Sequence, residues 1–510
     1  MILDRVGNAT RNIFWGLIEK IIIVLLPFVT RTVLIKILGA EYLGLNSLFV
    51  SILQVLSISE LGLGSAIVFS MYKPIAEDDN DTLCALLNVY RKLYHIVGSI
   101  IFFGGLAVLP FLPKLITGHC PDDVNIYILY LIYLINTVIS YFLYAYKASL
   151  FSAFQRNDLA SKRTALIALI SNILQIVVLT TMHNYYAYVL VIPFATMLTN
   201  LANAYLAKKM YPQIVCRGKI SKEMKTGLKK RITGLLSYKI YGVIFSSVDS
   251  LVISAFLGLT PLAIFNNYYI IQTAIFAFMA ILTNSITAGV GNKMITNTPT
   301  DNYADFKNFV FANGWIASWF AILLLCTYQH FMTVWVGKEL VFPFWTMVLM
   351  VIFFLLPRIT VITLTYKEAA GLWWEDRWRP VVAAIVNISA NLSLVKIIGM
   401  NGVIIASIIC TIFINVPWGT HVLFKHYFRR SPMEYYKLII YYVSMTCIVG
   451  FITLCLCNLL NNETSLIYLL IKILICLIIP NFLLWLIYRK RKEFIYAKNL
   501  LTKIINIKGE

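Results

Sequence analysis

Lys208 to Asp249 reads KKMYPQIVCRGKISKEMKTGLKKRITGLLSYKIYGVIFSSVD, a cationic loop that runs into a hydrophobic helix carrying two charges of its own. Lys208, Lys209, Arg217, Lys219, Lys222, Lys225, Lys229, Lys230 and Arg231 stand against a single acid, Glu223. From Ile232 the chain is apolar for long enough to cross a bilayer. Lys239 and Asp249 nevertheless lie inside that run, where an ionised side chain costs about 3 kcal/mol or more. A weaker copy of the pattern precedes it by 219 positions: Lys20 matches Lys239, Leu38-Gly39 matches Leu257-Gly258, and Ile170-Ser171-Asn172 matches Ser389-Ala390-Asn391. The basic loop is therefore the seam between two related halves.

The rest of the chain agrees with a membrane setting. It has 510 residues, 60% of them hydrophobic and 13% charged, with a mean hydropathy of +0.79. Too few polar side chains are present to cover a water-facing surface. The formal charge of +20 lies mostly on Lys and Arg that flank apolar runs, where it reports orientation and attraction to an anionic phospholipid bilayer, not a nucleic-acid partner. Nine cysteines are scattered through the chain. The closest pair, Cys455 and Cys457, has neither metal-ligand spacing nor accompanying histidines, so no disulfide, structural zinc or cofactor is expected. The first apolar run, about 12–37, is too long and too charged for a cleavable signal and is read as the first span.

With about 20 residues as the minimum crossing and turn-formers as boundaries, the sequence predicts an all-α polytopic membrane protein of about fourteen transmembrane helices. Their extents are 12–37, 43–71, 83–112, 125–151, 163–182, 186–207, 232–257, 261–290, 306–332, 342–367, 379–396, 401–425, 436–458 and 464–488. Alternate loops differ in charge. One set holds Lys73, the Arg156 to Arg163 cluster, the seam, Lys367 to Arg379, Lys425 to Lys437 and the tail from Arg489; the other holds only Lys36, Lys114, Lys338 and Lys396. This asymmetry predicts that both termini are cytoplasmic. Pro27, Pro193, Pro357, Pro417 and Pro480 interrupt spans and are potential kinks. Gly62 and Gly64 are expected to permit close helix approach.

Counted from the cytoplasmic end of each span, Lys20, Lys92, Lys239 and Arg358 are eight or nine residues in. At roughly 1.5 Å per residue they lie about 12 to 14 Å deep, near the middle of the bilayer. Asn88, Lys92, His95 and Ser99 recur at helical spacing and predict a polar stripe on one face, and Lys20 and Arg31 are expected to project alike. Arg31, Lys36, Lys147 and Lys472, nearer a border, read more naturally as ion-paired or interface-seeking side chains. Glu60 and Asp249 are the acids farthest from water and the candidates for ion coupling. Asp78-Asp79-Asn80-Asp81 reads as a solvated turn. No Gly-rich phosphate loop, nucleophile elbow or paired-His motif occurs, so no catalytic residue and no enzyme activity is expected.

The segment from Arg31 through Gly39, Gly44 and Phe49, continuing from Ile58 to Ile67, resembles the opening of bacterial Wzx-type polysaccharide-export flippases. These share a superfamily with multidrug and toxin extruders and lipid II flippases. The likeness runs on through Arg379 to Asn391. It implies two six-helix lobes of the multidrug-extruder kind, plus two C-terminal helices, in a bacterial cytoplasmic membrane. The lobes fall at 1–211 and 232–430, with a basic linker at 212–231 and helices 13 and 14 with a basic tail at 431–510. The implied cargo is an undecaprenyl-diphosphate-linked oligosaccharide moved by alternating access for O-antigen or capsule synthesis, with polysaccharide polymerase and glycosyltransferases as partners. Lys20, Lys92, Lys239 and Arg358 would hold the diphosphate, and Asn88, Asn172, Gln175, Asn387 and Asn391 would line the path of the sugar. The rival readings are a multidrug extruder, which favours acidic cavity residues, and a membrane polymerase or ligase, which needs a sizeable outer loop.

Overall fold

The computed structural model describes residues 5–60, 63–460 and 465–507, and the side chain of Lys239 is among those outside the described set. The described residues form helices and no strand, as lipid requires of a chain with no water to pair an open sheet edge. In the N-terminal half these are α1 Arg5–Ile37, α2 Ala40–Leu56, α3 Leu63–Ala76, α4 Asn80–Val108, α5 Ile126–Phe142, α6 Ala148–Ala153, α7 Asn157–Met182, α8 Tyr185–Met210 and α9 Lys222–Leu257. They are followed by α10 Leu259–Thr296, α11 Pro299–Val336, α12 Phe344–Ile359, α13 Val361–Ala369, α14 Arg379–Cys410, α15 Val416–Leu423, α16 Met433–Asn458, α17 Leu466–Tyr488 and α18 Lys492–Ile507.

Each of the fourteen expected spans falls on helix, but among the described residues ten helices are long and apolar enough to cross a membrane, or eleven with the bent α5–α6 pair. The difference has local causes. The second expected span is broken by a 3-10 turn at Ser57–Glu60, and Gly62 lies outside the described residues. The seventh, in α9, runs through residues whose side chains lie outside the described set, so only Ser247–Leu257 of it is counted, as a shorter apolar helix. Ser221 caps α9 by accepting from the Met224 N–H at 3.2 Å, so the second half of the expected basic linker is helix. The eleventh and twelfth join in α14, whose path breaks at Ile398 and Gly399, where Gly399 has φ 57°. Beyond α14, two wide π-helical turns, Thr411–Asn415 and Phe424–Phe428, flank α15. Two residues beyond Pro357, α12 stops at Ile359 and α13 starts at Val361, whereas Pro27, Pro193 and Pro480 are carried inside continuous helices.

The repeat is visible in the turns. Gly39 and Gly258 each begin a helix with nearly the same backbone, φ 113° and ψ 170° against φ 101° and ψ −176°. Gly118 and Gly337, also 219 apart, both have positive φ, 82° and 92°. These angles are cheap only for glycine.

Contacts divide the chain into residues 1–263 and 264–510. The lobe boundary expected from the sequence lies earlier, and the reason for the difference is how α9 docks. Thr117 Oγ1 donates to the Ala255 carbonyl at 2.6 Å, the Thr117 N–H to Ser254 O at 3.1 Å, and Ser254 Oγ to Leu115 O at 2.7 Å. At Gly44 on α2 a Cβ would lie 2.3 Å from the Leu259 carbonyl oxygen, so the missing side chain is what allows this approach. In the N-terminal unit α1 packs along α7, and α7 along α8. In the C-terminal unit α11 is the central element, touching α12, α16 and α17.

Candidate functional site

The N-terminal unit contains a polar cavity of ≈ 460 Å³ among α1, α7 and α8. Its wall includes Thr30, Arg31, Asn172, Gln175, Tyr188 and Asn200. Thr30 donates to Asn172 Oδ1 at 2.7 Å, and Asn172 donates in turn to Ala168 O at 2.8 Å, which fixes the amide against α7. Arg31 follows Thr30 on α1, and its Nη1 is buried with no hydrogen-bond partner among the described residues. Asn200 Nδ2 on α8 is in the same condition. Two residues of the cavity wall thus carry a buried donor without a hydrogen-bond partner among the described residues, one of them cationic.

A second hollow of ≈ 260 Å³ is lined by Glu60, Tyr94, Asn136, Thr137, Ser140, Tyr141 and Thr196, and Thr196 lines the first cavity as well. Glu60 accepts a hydrogen bond from Tyr94 at 2.8 Å and another from Tyr141, and Tyr90 donates to Tyr94 at 2.9 Å. Glu60 is thus held by two phenols with no cation beside it in an ion pair among the described residues. Asp249 is buried on α9 and is partnered.

The expected cations fall on both units. Lys20 and Lys92 are exposed on the N-terminal unit, Lys92 on the same flank of α4 as exposed Ile96 and Ile100. Lys239 lies outside the described residues. Arg358, in the C-terminal unit, stacks its guanidinium 4.1 Å from the Phe276 ring centre and has a buried Nε without a partner among the described residues. Asn313 donates to the Arg358 carbonyl at 2.7 Å.

The residues of the expected stripe on α4 meet different surroundings. Asn88 is buried and donates to Gly218 O at 3.0 Å while accepting from Arg91 at 3.0 Å, so it ties α4 to the seam. His95 stacks on Phe142 with ring centres 5.2 Å apart. Lys20 and Arg31 also part company, one exposed and one against the cavity. Arg31, read from the sequence as nearer a border, lines the polar recess of ≈ 460 Å³. Asn387 and Asn391 are fully buried; Asn387 donates to Ser407 Oγ at 2.9 Å and accepts from Asn391 at 3.2 Å, a clasp between the two halves of α14. Only Asn172 and Gln175 of the expected lining residues reach a described cavity. The Asp78 to Asp81 run is the turn expected of it: Asp79 caps α4 by accepting from the Thr82 N–H at 2.9 Å, the Thr82 hydroxyl and then this N–H hold its carboxyl below the usual range, and Asp81 pairs with Arg217 at 3.2 Å.

Solved structures share this fold. A lipid II flippase, MurJ, in an inward closed conformation is similar with TM-score 0.60 and 12% identity, covering 95% of this chain and 99% of that one. An inward-facing multidrug resistance MATE family transporter of the MOP superfamily gives TM-score 0.59 at 13% identity, covering 76% and 92%. A Vibrio cholerae MATE transporter gives 0.57 at 14%, covering 84% and 98%. No curated protein sequence matches significantly. The family model described as polysaccharide biosynthesis protein matches residues 9–288, more than half of the chain. With that match and a multi-pass helical fold of this kind, the chain belongs to the polysaccharide biosynthesis protein family.

Proposed function

We propose that the chain carries an undecaprenyl-diphosphate-linked oligosaccharide across the bacterial cytoplasmic membrane by alternating access, as a transporter and not an enzyme. The observation that carries this reading is the pair of unsatisfied donors, Arg31 Nη1 and Asn200 Nδ2, in the wall of one polar cavity. A buried donor without an acceptor costs about 1–3 kcal/mol, and more when charged. Phosphate and sugar oxygens relieve that cost, and Arg31 repels the organic cations that a multidrug extruder would take. Membership of a polysaccharide biosynthesis family supports the glycan as cargo.

Lys20, Lys92, Lys239 and Arg358 are proposed to take the diphosphate, with Arg358 able to grip it in two places as lysine cannot. Asn172 and Gln175 are proposed to meet the sugar. Asn88, Asn387 and Asn391 drop out because their amides are engaged within the fold. Glu60 and Asp249 remain the candidates for ion coupling. The test is surface glycan in cells lacking their own exporter. Arg31→Gln, and separately the triple variant Lys20→Gln, Lys239→Gln and Arg358→Gln, should abolish export at wild-type membrane levels. Normal glycan in both, or export of organic cations with glycan unaffected, overturns the reading.

A further inference from the structure

Three cysteines from three distant spans meet inside the C-terminal unit. Cys326 on α11, Cys457 on α16 and Cys476 on α17 are all buried, and their sulfur atoms lie within 4.8 Å of one another. The helices around them are fixed by polar contacts on each side. Trp319 donates to the Cys476 carbonyl at 2.9 Å, Ser318 and Thr446 hydroxyls bond at 2.6 Å, and His330 bonds the Ser465 carbonyl at 2.9 Å. The thiols are therefore presented by a rigid frame.

A second feature points the same way. Lys472, one turn before Cys476 on α17, is only 5% exposed. It makes no ion pair with a carboxylate among the described residues. A lysine buried in a membrane segment needs a compensating anion, and here the groups able to become anionic are the thiols. We propose that Cys326, Cys457 and Cys476 bind one soft divalent metal ion of the zinc group as thiolates, with Lys472 as the neighbouring counter-charge.

The chemistry closes on both geometry and charge. Metal–sulfur bonds of about 2.3 Å set the sulfurs of a three-coordinate site about 4 Å apart, so the cluster needs only slight contraction. Soft thiolates select such ions over magnesium or calcium. Binding releases a proton from each thiol to water. Three thiolate charges set against a divalent ion and the Lys472 ammonium leave no net charge, which is what an apolar bundle demands. The bound ion would clip α16 and α17 to α11. This inference is independent of the cargo.

The test uses Cd2+ as probe on the purified, reduced full chain in detergent. One Cd2+ per chain should bind with a thiolate charge-transfer band in the ultraviolet. Lys472→Gln should weaken it about 10- to 100-fold, as loss of a neighbour to the ligands does in other metal sites, with Lys472→Arg restoring most of the affinity. The triple variant Cys326→Ser, Cys457→Ser and Cys476→Ser should lose the band, while Cys84→Ser keeps it. In case the triple variant does not fold, Cd2+ should protect these three cysteines of the unaltered chain from maleimide, read by mass spectrometry. A missing band, a band that survives the triple substitution, or thiols as reactive with Cd2+ as without it overturns the proposal. So does a disulfide among the three in a chain that takes up no Cd2+ after reduction.

Discussion

Arg379 holds Asp376 across one turn at the start of α14, its Nε donating to both carboxylate oxygens at 3.0 and 2.9 Å. Lys367 pairs with the same carboxylate, which is wholly buried, and Arg379 also donates to Asn415 Oδ1 at 2.8 Å. Two cations thus share one buried acid in the loop between α13 and α14. Asp376→Asn should remove that shared partner and cost about 3–5 kcal/mol, the usual penalty for breaking a buried pair. A melting temperature in detergent unchanged from wild type would contradict this.

The close approach of α2 to the turn before α10 makes Gly44 sensitive to one added carbon. A Cβ there meets backbone at Leu259, which cannot swing aside, whereas at Gly16 nothing lies within 4 Å. Gly44→Ala should destabilise by about 1–3 kcal/mol, as overpacking does, and Gly16→Ala should be nearly silent. Paired thermal melts of the two variants measure the contrast.

Cys120, between α4 and α5, gives a pH-dependent readout. Burial first, and then the charges of Glu41, Asp122 and Asp123, push its thiol up from the ordinary value. A raised thiol pKa leaves less thiolate at neutral pH, so alkylation should be slower than for a free thiol and should climb only on the alkaline side. Glu41→Gln should speed it. The loop is proposed to face outward, and a membrane-impermeant maleimide added to intact cells should label Cys120 but not a cysteine placed at Arg217; the reverse pattern would invert the topology.

Ion coupling through Glu60 and Asp249 predicts a specific loss. With Glu60→Gln and Asp249→Asn together, transport in vesicles should no longer respond to an imposed pH gradient. A full response in that double variant would exclude proton coupling through these acids.

Much of the fold was legible because apolar runs of bilayer length leave little alternative to helix, and because Lys and Arg mark their ends. What the sequence hid was the partner of each polar residue. Asn387 and Asn391 look like cavity lining until Ser407, from the far side of the Gly399 break, is found beside them. Arg31 counts as near a border along α1, but the recess it faces is made by α7 and α8, which no spacing within α1 reveals. Cys326, Cys457 and Cys476 carry no linear motif, since each comes from a different helix. The basic run from Lys222 read as linker by its charge, although Lys and Glu are good helix formers behind a serine cap.

The π-helical turn at Thr411–Asn415 has a meaning for chain length. An inserted residue in a helix rotates everything beyond it by about 100° unless a wide turn absorbs it. This turn absorbs one, so the faces of α14 and α15 keep their phase. A relative shorter by one residue here would run straight through as ordinary helix with those faces unchanged, at the cost of contacts such as that of Asn415 with Arg379. Between Arg379 and Phe428, the wide turns are thus where evolution can add or remove a single residue without re-aiming the helix.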